Sequence, residues 1–304
     1  MKRTLNLFLI ITAVVLAACL PALAGFDDEF MESGDIGQNK IPATGFSRVL
    51  FIPVIMDEAK TPDMDRWKVF FENKLDALTF KNFWNVNSVG RYDVEVTMVD
   101  PIHYGKCPLP AEYKNCAIPR GDANALEPGV KFMKDLISRV KKERGINFAD
   151  FDVNGPKGLP DGWVDGIIVM TNADFPGVAF PVSLFKKFEV DNVKIGAVAI
   201  ASLFDDDIVA VHEFGHLLGF GDLYHEHKPG RGLYLSLMGQ YDEGIPLIDA
   251  YSRVKIGWAD VIDIPEGAPV SDYFLPPADI SGEVLRIGRG KEFFLVENRA
   301  PGKF

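Results

Sequence analysis

His212 and His216 stand four residues apart with Glu213 between them, in the run Asp205-Asp206-Asp207-Ile208-Val209-Ala210-Val211-His212-Glu213-Phe214-Gly215-His216-Leu217-Leu218-Gly219. On a helix, positions four apart share one face, so both imidazoles can present a nitrogen to one divalent ion. Zinc suits imidazole ligands and lowers the pKa of a water it holds towards neutrality. The carboxylate of Glu213 can approach the open side of such an ion without ligating it. It would take the proton of the attacking water and return it to the leaving amine, which is the chemistry of amide hydrolysis.

The surrounding residues must place these groups. The three aspartates suit the cap and first turn of a helix, where the backbone dipole favours negative charge. Beyond them the helix is apolar nearly all round, which implies burial. Buried His212, Glu213 and His216 then need partners, and a metal supplies one. The five-residue pattern alone would arise by chance in about one chain in a hundred of this length. The residues beyond His216 sharpen the signal.

Gly219 comes three residues after His216, and Asp222 three after Gly219. Glycine tolerates positive φ, so the helix can end there and the chain can turn Asp222 back under the ion. The expected set is His212, His216 and Asp222, with one position open for water. His225, Glu226 and His227 are close enough in sequence to stand as alternatives for the third ligand. Ser236-Leu237-Met238-Gly239 is expected to form a tight turn that puts Met238 beneath the metal as an apolar floor. Such an extended motif with a later methionine turn is the metzincin signature. Tyr241 and Tyr251 read as packing aromatics rather than oxyanion donors.

Three segments carry a family resemblance. They are His212 to Tyr224, Ser236-Leu237-Met238, and Ala250-Tyr251-Ser252-Arg253-Val254-Lys255-Ile256-Gly257-Trp258. Together they resemble the immune inhibitor A family of secreted bacterial metalloproteases. Asn87 to Tyr92 and Asp152 to Met170 fit more weakly, so the likeness spans roughly residues 46–300. It implies an α+β zincin (metzincin-like) domain with a mixed sheet, an active-site helix and a methionine turn. It also implies secreted endopeptidase activity on protein or peptide substrates, zinc and often calcium. The sequence departs from the family pattern at Leu235, where tryptophan is usual, and at Gly221, where proline is common. Phe293 to Arg299 resembles a segment after which family members continue, so the resemblance implies either a fragment or a naturally trimmed member.

Asp150, Asp152, Asn154, Asp161 and Asp165 form an oxygen-rich loop of a density that suits calcium. The run Gly155 to Pro160 breaks the register of an EF-hand loop, and a turn built from Asp, Asn and Gly is the alternative. His103 has no identifiable partner and reads as an ordinary loop residue.

Hydrophobic periodicity supplies the scaffold. Strands are expected at Arg48–Ile55, with an edge or bulge at Pro53, and at Tyr92–Met98, where apolar and polar residues alternate. Helical spacing runs through Asp65–Leu78 and again from Val130 to Val140, ending towards Gly145. Further strands are expected at Gly166–Met170, Ile195–Ala201, Glu283–Ile287 and Glu292–Glu297, with a helix at Asp249–Ile256. Helices and strands mix without regular alternation, which reads as α+β.

Composition bounds the function. Of 304 residues, 47% are hydrophobic and 25% charged, with a formal net charge of -11. No basic stripe appears, which argues against a nucleic-acid partner. Residues 1–24 read as a signal peptide: Lys2 and Arg3, an apolar run from Leu7 to Ala18, and Ala22-Leu23-Ala24 as a cleavage site. Leu16-Ala17-Ala18-Cys19 alternatively resembles a lipobox, which would anchor the chain to a membrane through Cys19. Residues 25–45 read as a flexible linker, with the catalytic domain at 46–304 and order beginning near Phe46. Export to a secreted, periplasmic or lipid-anchored location is expected, and a Cys107–Cys116 disulfide with it, closing a nine-residue separation. The competing functions are a zinc amidase acting on cell-wall peptides and an inert zincin-fold binding or adhesion module.

Overall fold

The computed structural model describes residues 41–107, 126–173, 178–180, 188–196, 198–223, 236–239, 246–264, 267, 273–289 and 292–299. Strand-forming runs rich in Val, Ile and Phe build its centre. They are β1 (Gly45–Ile55), β2 (Tyr92–Met98), β3 (Ile102–His103), β4 (Gly166–Thr171) and β5 (Val178–Phe180). A small hairpin of β6 (Glu189–Val190) and β7 (Val193–Lys194) precedes β8 (Val198–Ser202). The central sheet has the order β2-β1-β4-β8-β5, with β3 also on β1. All its pairs are parallel except β5 with β8. Parallel pairing requires crossovers that cover the faces, which is why these strands are apolar on both sides.

Pro53 shows how local chemistry fits this topology. The Phe51 and Ile55 carbonyls accept from Val99 and Tyr104, both beyond the β2 and β3 side of β1. Backbone groups alternate sides along a strand, so Pro53, midway between them, turns its missing N–H towards the gap between β2 and β3. The expected break at Pro53 is therefore a break in the partner edge, and β1 itself continues.

Alternation along the strands separates two apolar layers. On one face Val49, Phe51, Ile168, Met170, Ala199 and Ala201 pack with Trp67, Phe80, Trp84, Val211 and Phe214. On the other, Leu50, Ile52, Val54, Ile167, Val169 and Ile200 pack with Phe132, Met133, Leu136, Ile137 and Val140. The first face carries α1 (Met64–Phe70) and α2 (Phe80–Asn87), and the second α3 (Leu126–Arg144). The motif helix α4 (Asp207–Leu217) lies on the first face.

The expected helix over Asp65–Leu78 is corrected. α1 stops at Phe70, and Leu75 and Leu78 are exposed. Asn73 leaves the helix because its side-chain amide pairs with the backbone of Val96, donating at 3.1 Å and accepting at 2.8 Å. Thr79 then caps α2 by accepting from Asn82 N–H at 3.2 Å. Phe80, Phe83, Trp84 and Asn87 give that helix its buried face, a spacing the sequence reading passed over.

The chain finishes with α5 (Ala250–Lys255), β9 (Asp260–Ile264), α6 (Ala278–Ser281), β10 (Glu283–Arg289) and β11 (Glu292–Val296). The last three strands form a second sheet of order β11-β10-β9. The architecture is thus mixed α/β around a largely parallel sheet. Packing begins earlier than Phe46: Ile41 is buried in the core, and the Ala43 carbonyl accepts the indole N–H of Trp258. His103 is likewise corrected from an unpartnered loop residue. It ends β3 and its Nδ1 is 2.9 Å from Glu58 Oε1. Among the described residues no helix is long and apolar enough to cross a membrane. The segment 1–40 and Cys19 lie outside the described residues.

Candidate metal site

α4 is fixed at both ends by its own sequence. Asp206 occupies the cap position without a side-chain cap bond, and the neighbouring aspartates act differently. Asp205 accepts Ser202 N–H at 2.9 Å, closing the turn out of β8. Asp207 Oδ1 accepts from Arg66 Nε at 3.0 Å and Nη2 at 2.6 Å. From Ile208 to Leu217 every side chain but Val209 is buried, as an apolar helix between sheet and core requires.

The C-terminal end forms a Schellman turn. Phe220 N–H reaches Gly215 O at 3.1 Å and Gly219 N–H reaches His216 O at 3.0 Å. Gly219 has φ +100°, a value that side-chain-bearing residues avoid. The turn swings Asp222 back towards the helix. Asp222 Oδ1 lies 3.1 Å from His212 Nε2 and 3.3 Å from His216 Nε2.

Both rings are oriented by main-chain carbonyls. His212 Nδ1 donates to Leu237 O at 3.0 Å, and His216 Nδ1 donates to Phe220 O at 2.8 Å. A carbonyl can only accept, so each neutral imidazole carries its proton on Nδ1 and turns the Nε2 lone pair towards Asp222. Three electron-rich atoms therefore converge. Asp222 Oδ1 is buried and accepts no hydrogen bond of normal geometry there.

This donor set fits a small divalent ion. Tetrahedral ligands held at about 2.0–2.1 Å from one ion stand roughly 3.3–3.4 Å from each other, close to the separations found. Among the described residues, His212, His216 and Asp222 are the one such group able to hold a metal. Burial works against charge on Asp222, but the two imidazoles outweigh it and hold the carboxyl below its ordinary range. Burial likewise opposes protonation of His216, yet Asp222 and the charge of Glu213 raise its pKa. Glu213 is buried beside this cluster, 7% exposed.

The turn Ser236-Leu237-Met238-Gly239 forms as expected, closed by Gly239 N–H on Ser236 O at 2.9 Å. Met238 is fully buried with its sulfur against Gly215, the residue preceding His216. Its carbonyl accepts Leu223 N–H at 2.7 Å, so the turn also braces the residue after Asp222.

Compared with protein-family models and with curated proteins, the chain matches none.

The calcium candidates are not brought together as a ligand set. Asp165 accepts from the backbone N–H groups of Arg48, Val153 and Asn154. Asp152 accepts from Asp161 and Gly162, and Asp161 from Trp163. Asn154 donates to Pro42 O, Thr44 O and Ser47 Oγ. These side chains hold the loop before β4 against β1, as turn chemistry does. Burial lifts the Asp165 carboxyl to about 6 despite its three donors. Asp150 takes part only at the surface, accepting from Asn147 at 2.8 Å.

Tyr251 is partly exposed on α5, with the Lys255 ammonium 5.6 Å from its ring centre. Cys107 is disulfide-bonded. Its expected partner Cys116 lies outside the described residues, as do His225, Glu226, His227, Leu235 and Tyr241. The sequence reading missed the carbonyls of Leu237 and Phe220, because main-chain acceptors have no signature in side-chain identity.

Proposed function

We propose that the protein is a zinc-dependent hydrolase of peptide bonds, acting outside the cytoplasm, in a zincin-type domain. The observation that carries this is the convergence of His212 Nε2, His216 Nε2 and Asp222 Oδ1 beside buried Glu213. His212, His216 and Asp222 would hold the ion. A purely structural zinc is normally closed by a fourth protein ligand, whereas three ligands leave a position for chemistry. Bound there, zinc would supply Lewis acidity, lowering the pKa of water and polarising a carbonyl.

The chain's own residues perform the rest. Glu213 takes the proton of the attacking water and delivers it to the departing amine. The carbonyls of Leu237 and Phe220 keep each imidazole in the tautomer that ligates and hold its ring in place. Met238 and the apolar wall of α4 keep bulk water from the back of the site. The peptide substrate class rests on the resemblance to the immune inhibitor A family. It is supported by β5, which runs antiparallel to β8 at the end of the described sheet, where an extended peptide can add a strand.

The test compares wild type with Glu213→Gln for zinc content and casein cleavage. The expected result is one zinc per chain in both and a rate at least about a hundredfold lower in the variant. Full activity in Glu213→Gln, or a folded wild type that takes up no zinc, would sink the reading. Cleavage of cell-wall peptides with none of casein would move the substrate class to an amidase. Zinc uptake without hydrolysis of either would favour a binding module.

A further inference from the structure

The hydrogen bond that orients His212 depends on a carbonyl in a four-residue turn, and that turn is held from outside by an aspartate. Ser236 opens the turn and is completely buried. Its hydroxyl donates to Asp249 Oδ2 at 2.9 Å and accepts Asp249 N–H at 3.3 Å. The next residue, Leu237, gives its carbonyl to His212 Nδ1. Asp249 is itself immobilised. Its Oδ1 caps α5 by accepting Ser252 N–H at 2.9 Å, and Oδ2 also accepts the Ser252 hydroxyl at 2.8 Å. The neighbouring Ile248 is gripped on both sides, its N–H by Asn87 Oδ1 at 2.8 Å and its carbonyl by Arg299 Nη2 at 3.2 Å.

We propose that Asp249 is a positioning residue for the metal site, acting through Ser236 to fix the Leu237 carbonyl and hence the ring of His212. The proposal rests on the metal reading of His212, His216 and Asp222. An α5 cap alone needs only one acceptor oxygen, and serine or asparagine would serve. The second oxygen of Asp249 is used to bind the turn to α5, and through α5 to α2 and the C-terminal sheet. Both hydroxyls and the carboxylate are buried, so this link is shielded from exchange with water and its geometry is tightly held. Groups that orient a ligating imidazole set its readiness to bind metal, and their loss lowers affinity without removing any ligand.

Two serines on the same carboxylate allow the test. Ser236→Ala cuts the link to the turn and leaves the α5 cap intact. Ser252→Ala removes the other hydroxyl and leaves the turn attached. Zinc affinity would be measured by competition with a chromogenic chelator, and the stability of the zinc-free forms by urea unfolding. Ser236→Ala is expected to bind zinc about tenfold or more weakly, while Ser252→Ala stays within about twofold of wild type. Asp249→Ser retains a capping oxygen and the backbone N–H on Ser236 Oγ but is too short to accept from that hydroxyl, so it should lose zinc affinity in the same direction as Ser236→Ala and by no more. Unchanged affinity in Ser236→Ala overturns the proposal. So does an equal or larger loss in Ser252→Ala, or a loss that tracks zinc-free stability across the three variants. If wild type itself takes up no zinc, the metal reading falls and this proposal with it. Wild-type binding with an unaffected Ser236→Ala overturns the positioning role alone.

Discussion

The sulfur of Met238 occupies the space that a side chain on Gly215 would need: a β-carbon there would come within 2.9 Å of Sδ. Gly215 sits between Glu213 and His216 on α4, and the indole of Trp84 closes the same space at 3.6 Å. Glycine in a helix interior is unfavourable by about 1 kcal/mol relative to alanine, so its use here reflects close packing and not helix formation.

Gly215→Ala tests that contact. Relief of the glycine penalty is set against overpacking of about 1–3 kcal/mol, and net destabilisation of roughly 1 kcal/mol is expected. Met238→Ala opens a cavity and should cost about 2–5 kcal/mol. In urea unfolding of the zinc-free protein, the double variant should lose clearly less than the sum of the two. Strict additivity would show that the two residues do not meet.

Metal linkage gives a second prediction. Zinc at about a thousand times its dissociation constant should stabilise the wild-type protein by roughly 4 kcal/mol, if it binds only the folded state. His212→Ala should lose that response completely. Asp222→Ala should retain part of it, because two imidazoles and the Schellman turn remain. A zinc-dependent midpoint unchanged in His212→Ala would place the metal elsewhere.

Gly219 supplies a third. At φ +100° an alanine is strained, and Gly219→Ala should destabilise the zinc-free protein by about 1–2 kcal/mol. Because the same turn carries Asp222, zinc affinity should fall as well. Unaltered affinity together with reduced stability would detach Asp222 from the ligand set.

The reach of each signal along the chain decides what the sequence disclosed and what it hid. His212 and His216 were legible because a helix converts a spacing of four into one face. Gly219 was legible because few residues tolerate its backbone, so its position alone announced a turn towards Asp222. The Leu75 and Leu78 spacing misled because periodicity does not register Asn73 binding Val96 across 23 residues. Parallel pairing of β1 with β2 and β4 was hidden for the same reason. Partners such as Arg48 and Asp165 are 117 residues apart and carry no mutual mark. The oxygen-rich loop was ambiguous because calcium and backbone N–H groups ask for the same acceptors. Only the bonds made by Asp152, Asn154 and Asp165 distinguish the two.

Asp165 also sets a pH dependence. Its carboxyl is raised from an ordinary 3.8 to about 6, chiefly by burial. The folded state therefore holds its proton more tightly than the unfolded chain. The associated stability is fully present below pH 3.8 and is lost as pH rises through 6, on the order of 3 kcal/mol in all. Asp165→Asn should remove this slope, so the stability difference between variant and wild type should change between about pH 4 and 7. A difference that stays constant with pH would show that the three backbone donors keep Asp165 ionised throughout.

The last prediction concerns the clamp between the two sheets. Arg253 is 1% exposed and donates to Asn87 O at 3.0 Å, Ala278 O at 2.7 Å and Glu297 Oε2 at 3.3 Å. Arg253→Met fills much of the volume but leaves two carbonyls without this donor, while the Glu297 carboxylate keeps Arg299, whose Nη2 lies 2.6 Å from its Oε1. The expected cost is about 2–6 kcal/mol, chiefly from two buried carbonyls that lose a charged donor. Arg253→Lys should recover little of it, since an ammonium cannot reproduce three donors in a fixed plane. Replacing Glu297 by Met in the Arg253→Met background should cost more still, because Arg299, which donates to Glu297 Oε1 at 2.7 Å, then loses its partner. Urea midpoints of the single and double variants decide the matter. A double variant more stable than Arg253→Met alone would show that the cost lies in the charge of Glu297 and not in the backbone carbonyls.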